Sequence, residues 1–158
     1  MKLLPLIPGE TGAICLENFK FTDDRGVFTH IYREIDDLKG TNADFRGIKN
    51  IYNSFNRKKG TFRGYHKQTS PFEEAKIINC VNGKALHIIV KETNNAFIYD
   101  TNIISSSNFC STFVPRDCYS AFLTLEDFTM INYLTDANYN PDSCINMCWK
   151  DVRLSHIN

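Results

Sequence analysis

Short apolar segments separated by turn residues run along most of this chain. No long stretch repeats its apolar residues with the period of about 3.6 that an amphipathic helix requires. The segments between the turns are rich in Val, Ile, Phe, Tyr and Thr, which favour strands. They span residues 27–32, 48–55, 75–81, 85–90, 96–102, 108–114, 120–125 and 129–135. Many short strands of this kind predict a β-sandwich or barrel rather than a parallel α/β sheet.

Turn residues at two places and one helix candidate add local detail. Asp23-Asp24-Arg25-Gly26 predicts a tight turn, because Asp tolerates the left-handed backbone region and Gly adopts it freely. Asn82-Gly83 lies between two apolar segments and predicts a β-hairpin. The early helix candidate runs from Arg33 to Leu38 and is short and acidic.

Composition and charge narrow the possible functions. Of the 158 residues, 42% are hydrophobic, which is enough for a packed core, and no linker or repeat divides them, so we expect a single domain over residues 1–158. Lys and Arg total 18 and Asp and Glu total 18, so the excess positive charge typical of nucleic-acid binding is missing. The apolar runs are too short to span a membrane, and the first residues do not resemble a signal peptide. We therefore expect a soluble, cytoplasmic protein with neither nucleic acid nor a membrane as partner.

The cysteines do not follow a disulfide or metal-binding pattern. No Cys-x-x-Cys occurs, and Cys144 and Cys148 have no second ligand pair nearby. The chain is also long enough to fold without disulfides. We expect reduced thiols and no zinc site.

The segment from Lys58 to Gln68 contains the densest group of candidate functional residues. Glycines flank Arg63, and His66 lies two residues before Gln68. If the segment is a strand, alternation places Arg63 on one face and both His66 and Gln68 on the other. From the residues alone, His66 is either a hydrogen-bonded core or surface residue or a titratable group in a pocket.

A series of motifs along the chain favours the pocket interpretation. In chain order they are Arg25-Gly26-x-Phe28, Arg63-Gly64-x-His66-x-Gln68, Ala75-Lys76-Ile77, Gly83, Val114-Pro115, Tyr133, Tyr139-x-Pro141 and Trp149-x-Asp151. Together they resemble the dTDP-4-dehydrorhamnose 3,5-epimerase family, whose members are cupin-type sandwiches that act on nucleotide-linked 4-keto sugars. The resemblance covers residues 15 to 154, and it implies an all-β, cupin-type jelly-roll β-sandwich with few short helices.

The resemblance also implies three catalytic residues. His66 matches the family's general base, Tyr133 matches its proton donor on the opposite face of the sugar, and Lys76 matches the cation beside the keto oxygen. The residues that match substrate-binding positions are Arg25, Phe28, Asn53, Arg63, Gln68, Ser120 and Tyr139. Among these, Arg63 matches a pyrophosphate contact. Arg25 and Phe28 match a segment offered by the partner subunit, so the resemblance implies a homodimer with a swapped N-terminal segment.

The chemistry of a 4-keto sugar explains why these residue types belong together. A ketone at C4 acidifies the hydrogens at C3 and C5, because the resulting carbanion delocalises as an enolate. Inversion needs a base on one face, an acid on the other and a cation near the enolate oxygen; a positioned general acid or base contributes roughly 10²–10⁴-fold. No metal or other cofactor is required. The predicted function is a metal-independent epimerase that inverts C3, C5 or both in a dTDP-4-keto-6-deoxyhexose or related nucleotide sugar, for surface polysaccharide synthesis.

Several positions depart from the family's pattern. Ser120 stands where a pocket histidine is expected, His87 where the family has aspartate, and Cys144 where it has glutamate. From the sequence, His87 is either a satisfied core residue or a polar group that faces the pocket. The family also supplies, after the Trp-x-Asp segment, an aspartate that orients the catalytic histidine, and this sequence offers no match to it. We expect that histidine to be supported by another acidic residue, Asp117 or Asp151, or only by a backbone carbonyl or water.

Two alternative functions remain open at this level. A nucleotide-sugar 3,4-ketoisomerase shares the fold, but its usual Arg-Gly-x-His-Ala-His differs from the segment Arg63 to Gln68. A degenerate cupin that binds a sugar nucleotide without turnover is favoured by Ser120 and by the unmatched aspartate. Metal-binding cupins use two histidines one residue apart and a later histidine, where this chain has Gln68 and Ser120, so we expect no metal site.

Overall fold

β-Strands make up almost all of the regular structure in the described part of this chain. The structure, a computed structural model, describes residues 2–4, 6, 9–33, 38, 41, 43–94, 96–148 and 150. The strands are β1 (Lys2–Leu4), β2 (Ile14–Glu17), β3 (Phe19–Asp23), β4 (Gly26–His30), β5 (Asn50–Asn56), β6 (Phe62–Gln68), β7 (Lys76–Asn82), β8 (Lys84–Glu92), β9 (Phe97–Ser105), β10 (Cys110–Val114), β11 (Cys118–Thr124), β12 (Thr129–Thr135) and β13 (Cys144–Asn146). A single 3₁₀ turn, η1 (Pro141–Ser143), is the helical element of the described residues.

The strands form two larger sheets and a separate hairpin. The first sheet has the order β1-β2-β10-β7-β12-β5, and the second has the order β13-β6-β11-β8-β9. Strands β3 and β4 form the hairpin. Neighbouring strands pair antiparallel, and many of them are distant in sequence, because the chain passes repeatedly from one sheet to the other. The predicted all-β sandwich is confirmed.

The main apolar core lies between the two sheets. Ile78 and Ile131 of the first sheet and Ile89 and Ile104 of the second are fully buried and belong to one cluster. Burying a side chain of this size stabilises a fold by roughly 1.5–3 kcal/mol. Because side chains alternate along a strand, the same pattern that fills the core also sends intervening side chains to the opposite face.

The strand predictions are confirmed, and one turn prediction is wrong. Each apolar segment identified from the sequence overlaps one of the strands β4, β5 and β7 to β12. Asn82-Gly83 does not close a hairpin, because β7 lies in the first sheet and β8 in the second. Both edges of β7 are already paired, with β10 and β12, so the turn carries the chain around a corner instead. The helix candidate from Arg33 to Leu38 falls mainly on residues outside the described part of the chain.

The cysteines are free thiols, and burial keeps several of them unreactive. Burial raises the pKa of Cys80 to about 11 and that of Cys118 to about 12, so both stay protonated at neutral pH. Within the described ranges, no helix is long and apolar enough to cross a bilayer.

Candidate active site

A cavity of about 400 Å³ opens between the two sheets and contains most of the predicted site residues. Strands β5, β7 and β12 of the first sheet and β6 and β11 of the second contribute to its wall. The predicted residues that line it are Asn53, Arg63, His66, Lys76, Ser120, Tyr133 and Tyr139. Residues separated by up to 86 positions in the chain (53 to 139) are therefore brought to one cavity by the packing of the sheets.

A β-bulge in β6 places Arg63 and His66 on the same cavity, which corrects the simple alternation predicted from the sequence. His66 lies opposite Ser120 of β11, whereas Arg63 lies opposite Phe122, so β6 has one residue more than β11 between these pairs. Gly64 occupies the bulge with φ +143°, and a side chain there would overlap that of Ala121. The extra residue reverses the alternation between Arg63 and His66, and both side chains reach the cavity.

The His66 imidazole lies at the exposed rim of the cavity and contacts Asn146. Its Nδ1 is 2.5 Å from the Asn146 Oδ1, and the two residues are direct partners across the β6–β13 ladder. Because an amide oxygen only accepts hydrogen bonds, Nδ1 carries a proton, and in the neutral ring the lone pair is therefore at Nε2. The expected support from Asp117 is wrong, since that carboxylate is 2.7 Å from Lys91 Nζ. Asp151 lies outside the described residues.

Tyr133 of β12 presents a neutral hydroxyl to the cavity. Burial raises its pKa well above the ordinary value of 10.0, and the positive charge of Arg63 opposes that rise only in part. The hydroxyl therefore stays protonated at any physiological pH. Arg63 is held by a 2.8 Å hydrogen bond from its Nε to Oδ1 of the buried Asn56.

Lys76 begins β7 and brings a buried positive charge to the cavity. Its Nζ is 3.0 Å from Oε1 of Glu74, and both side chains are almost fully buried. A buried ammonium without a partner would cost several kcal/mol, so Glu74 stabilises the lysine in place. Glu74 was not among the residues predicted from the sequence, although an acidic residue two positions before a cavity lysine is a usable signal.

Ser120, in the cavity wall, pairs with the buried His87 behind it. His87 Nε2 is 2.8 Å from the Ser120 Oγ, and His87 is completely buried. Burial, with a smaller contribution from the Lys76 charge, lowers the pKa of His87 to about 3, so the ring is neutral. Its Nδ1 has no hydrogen-bond partner among the described residues. His87 is thus a core residue that reaches the cavity only through Ser120.

Asn53 and Tyr139 complete the polar lining. Asn53 Oδ1 accepts a 2.9 Å hydrogen bond from Nδ2 of Asn132 on the neighbouring strand β12. Tyr139 is largely exposed, and the nearby Cys144 raises the pKa of its hydroxyl. Both side chains lie at the wall of the cavity, where they can contact a ligand.

Gln68 does not line the cavity but holds the segment that follows Asp136. Its buried side chain donates to the carbonyl oxygens of Phe72 and Asn138, at 2.8 and 3.1 Å. Its Oε1 accepts a 2.8 Å hydrogen bond from the Asn140 backbone N–H. Every polar atom of the amide is engaged in this network, so Gln68 has a structural role here, and its predicted substrate contact stays a prediction.

Arg25 and Phe28 lie on the β3–β4 hairpin, away from the cavity. Asp23 accepts a 2.9 Å hydrogen bond from the Arg25 backbone N–H and forms a 2.6 Å ion pair with its guanidinium, so the predicted tight turn is confirmed. Phe21 is 63% and Phe28 is 72% exposed, an unusual position for large apolar side chains. Within one chain these residues do not contribute to the cavity that contains His66.

Metal-ligating residues do not cluster in the part of the chain that the structure describes. No group of three or more His, Cys, Asp and Glu side chains there is arranged to hold a metal ion.

Comparison with known sequences decides the family. The family model described as dTDP-4-dehydrorhamnose 3,5-epimerase matches residues 10–157. The chain belongs to the dTDP-4-dehydrorhamnose 3,5-epimerase family. The epimerase of Sinorhizobium fredii is 30% identical over 84% of this chain and 68% of its own length. The epimerase of Escherichia coli is 25% identical over 90% of this chain and 77% of its own length. The predicted family and the isomerase class of the enzyme are confirmed.

Solved structures of the dTDP-4-dehydrorhamnose 3,5-epimerase family have the same fold. The Bacillus anthracis enzyme, solved with TDP and PPi bound, has a TM-score of 0.83 and 27% identity and covers 95% of this chain and 85% of its own. The Elizabethkingia anophelis enzyme has a TM-score of 0.78 and 26% identity, and the match covers 96% of this chain and 82% of that enzyme's chain. These similarities extend over both sheets and therefore include the strands that build the cavity.

Proposed function

We propose that this member of the epimerase family inverts C3, C5 or both in a dTDP-4-keto-6-deoxyhexose or a related nucleotide-linked 4-keto sugar. The observation that carries the proposal is the convergence of His66, Tyr133 and Lys76 on one cavity. These three groups come from strands in both sheets and supply the base, the acid and the cation that an enolate pathway needs. Arg63, at the same cavity, is suited to a negatively charged diphosphate.

The reaction begins with proton removal by His66. Its Nε2 lone pair accepts the proton from the carbon next to the keto group, while the bond electrons move into an enolate. Lys76 stabilises the negative charge that develops on the enolate oxygen, and its burial strengthens that interaction because water does not screen it. The charge is greater in the transition state than in the ground state, so this interaction lowers the barrier.

Tyr133 then returns a proton to the opposite face of the carbon. Its raised pKa makes the hydroxyl a poor donor to water but an adequate one to a carbanion, which is far more basic. Delivery from the opposite face inverts the carbon. His66 then releases its proton to water and the Tyr133 oxygen takes one up from water, so the net reaction requires no external acid, oxidant or reductant. The tyrosinate that forms lies in the same cavity as Arg63, whose charge stabilises it.

A second copy of the chain is the proposed partner. The hairpin β3–β4 exposes Phe21 and Phe28, which oppose each other across the two strands, on one face, and such a surface is stabilised when another subunit covers it. We place this hairpin of one subunit beside the cavity of the other in a homodimer, so that Arg25 and Phe28 reach the bound sugar nucleotide. The single-domain organisation and the cytoplasmic location expected from the sequence stay predictions.

Solvent exchange tests the proposed reaction. The protein is incubated with dTDP-4-keto-6-deoxyglucose in deuterated water, and C3 and C5 are followed by NMR. Deuterium at either carbon with inversion supports an epimerase, a moved carbonyl would indicate a ketoisomerase, and binding without exchange would indicate a non-catalytic binding protein.

Two variants show whether the exchange comes from the proposed site. His66→Ala should abolish exchange at the active carbon. Lys67→Ala is the matched control, since Lys67 lies next to His66 in β6 but points to the Tyr119 ring, 4.2 Å from its centroid, on the other side of the strand. Exchange that survives in His66→Ala would refute the assignment of the base.

A further inference from the structure

The short strand β13 lies at the edge of the second sheet and covers one side of His66. Backbone hydrogen bonds join Tyr65 and Met147 in both directions, at 3.2 and 3.0 Å. In this register Asn146 is the direct partner of His66, and directly opposed residues place their side chains on the same face of a sheet. The Asn146 side chain therefore lies beside the imidazole without crossing the cavity.

We propose that Asn146 is the positioning residue that prepares His66 to accept a proton, an inference that rests on the proposed function. The Asn146 Oδ1 accepts a 2.5 Å hydrogen bond from Nδ1–H. This contact selects the tautomer with a free lone pair at Nε2 and fixes the rotation of the ring. In the other tautomer, Nε2 carries the proton and has no lone pair for the substrate. A ring that rotates freely can instead turn Nδ1–H toward the substrate.

The segment that leads into β13 is built to hold Asn146 in place. Gln68 ties the chain at Asn138 and Asn140 to the end of β6, two residues beyond His66. The Asn140 side chain caps η1 by accepting a 2.9 Å hydrogen bond from the Asp142 backbone N–H. The hydrogen bonds of Gln68 thus maintain the register that the Asn146 contact depends on.

Asn146 supports His66 without contributing charge. A carboxylate in the same place would stabilise the imidazolium by direct attraction, whereas a neutral amide supplies orientation only. The titratable and charged groups around the cavity are Arg63 on β6, Lys76 with its partner Glu74 at β7, Tyr52 on β5, Tyr133 on β12 and Tyr139. Among the described residues, no carboxylate forms an ion pair with His66. Replacing Asn146 by Asp should therefore change the pH at which His66 loses its ability to accept a proton.

The test compares Asn146→Asp and Asn146→Ala with the wild type. For Asn146→Ala we expect kcat of solvent exchange to fall on the order of 10²-fold, because the base is no longer aligned. KM should stay within about twofold, since a residue that acts through His66 changes the chemical step more than substrate binding. Asn146→Asp should recover most of kcat and move the acid limb of the pH–rate profile up by about one pH unit.

Ile145→Ala is the matched control on the same short strand. Ile145 points away from His66, so its removal should alter neither kcat nor the pH profile, even if it weakens the pairing of β13 with β6. Wild-type kcat and an unchanged pH profile in Asn146→Ala would overturn the proposal.

A second measurement does not need turnover. The imidazole of His66 is titrated by NMR in the substrate-free wild type and in Asn146→Asp, and its midpoint should rise by about one pH unit in the variant. An unmoved midpoint would overturn the contact itself. A shifted midpoint in a protein without any exchange activity would instead refute the proposed function and leave the contact between the two side chains standing.

Discussion

The buried histidine behind the cavity predicts a specific dependence of stability on pH. The pKa of His87 falls from an ordinary 6.5 to about 3 in the folded protein. In the unfolded chain the ring takes up a proton as the pH falls through 6.5, whereas in the folded protein it stays neutral. The unfolded state therefore binds more protons between these two values, and the free energy of unfolding falls as the pH is lowered.

The magnitude follows from the same two values. The loss approaches about 1.4 kcal/mol for each pH unit below 6.5, which integrates to about 2 kcal/mol between pH 7 and pH 5. Because pH 5 is well above 3, the folded ring is still neutral there, and the loss depends almost entirely on the unfolded chain. Since this is a large part of the stability of a typical domain, urea unfolding can measure it.

His87→Gln removes the titrating ring but keeps a side chain that can hydrogen-bond to Ser120. Urea unfolding of the wild type and the variant is measured at pH 7 and pH 5, at one protein concentration. The variant should lose about 2 kcal/mol less between the two pH values than the wild type, whatever its absolute stability. Ser120→Ala is the control, because it leaves His87 buried and should retain the wild-type pH dependence. Parallel losses in the wild type and His87→Gln would refute the reasoning.

Three further predictions concern the site and the strand that carries it. Tyr133→Phe should bind the sugar nucleotide with near wild-type affinity but lower kcat by roughly 10²–10⁴-fold, as measured by steady-state exchange and calorimetry; normal turnover would place the proton donor elsewhere. Mixing Arg25→Ala with His66→Ala subunits should restore up to about a quarter of the wild-type activity, since half of randomly assorted dimers are mixed and each has one intact shared site; no recovery after verified subunit exchange would contradict the swapped hairpin. Gly64→Ala should destabilise the protein by about 2 kcal/mol or more in urea unfolding, because the new methyl group meets Ala121 at a backbone conformation that disfavours side chains; wild-type stability would show that β6 can rearrange without cost.

The strands and most of the candidate site could be predicted from the amino-acid sequence alone. Alternating apolar residues specify a strand wherever one face is buried, so segments such as 129–135 coincide with their strands almost residue for residue. His66, Lys76 and Tyr133 were identified because the order and spacing of motifs along the whole chain resemble those of the epimerase family, in which these positions carry the base, the cation and the proton donor. Their convergence on one cavity is the step that required the packing of two sheets.

Contacts between distant strands could be decided only by the tertiary structure. The Asn82-Gly83 turn has the local sequence of a hairpin, yet β10 and β12 take both edges of β7, and a turn motif carries no information about those partners. The bulge at Gly64 arises from the mismatch between β6 and β11, so strict alternation assigned Arg63 and His66 to opposite faces. Asn146 has no sequence signal at all, because its role depends on the register of β13 against a strand 80 residues earlier. Local patterns report which face of a strand is buried, whereas strand order and register depend on the free energy of the whole packed core, to which every strand contributes.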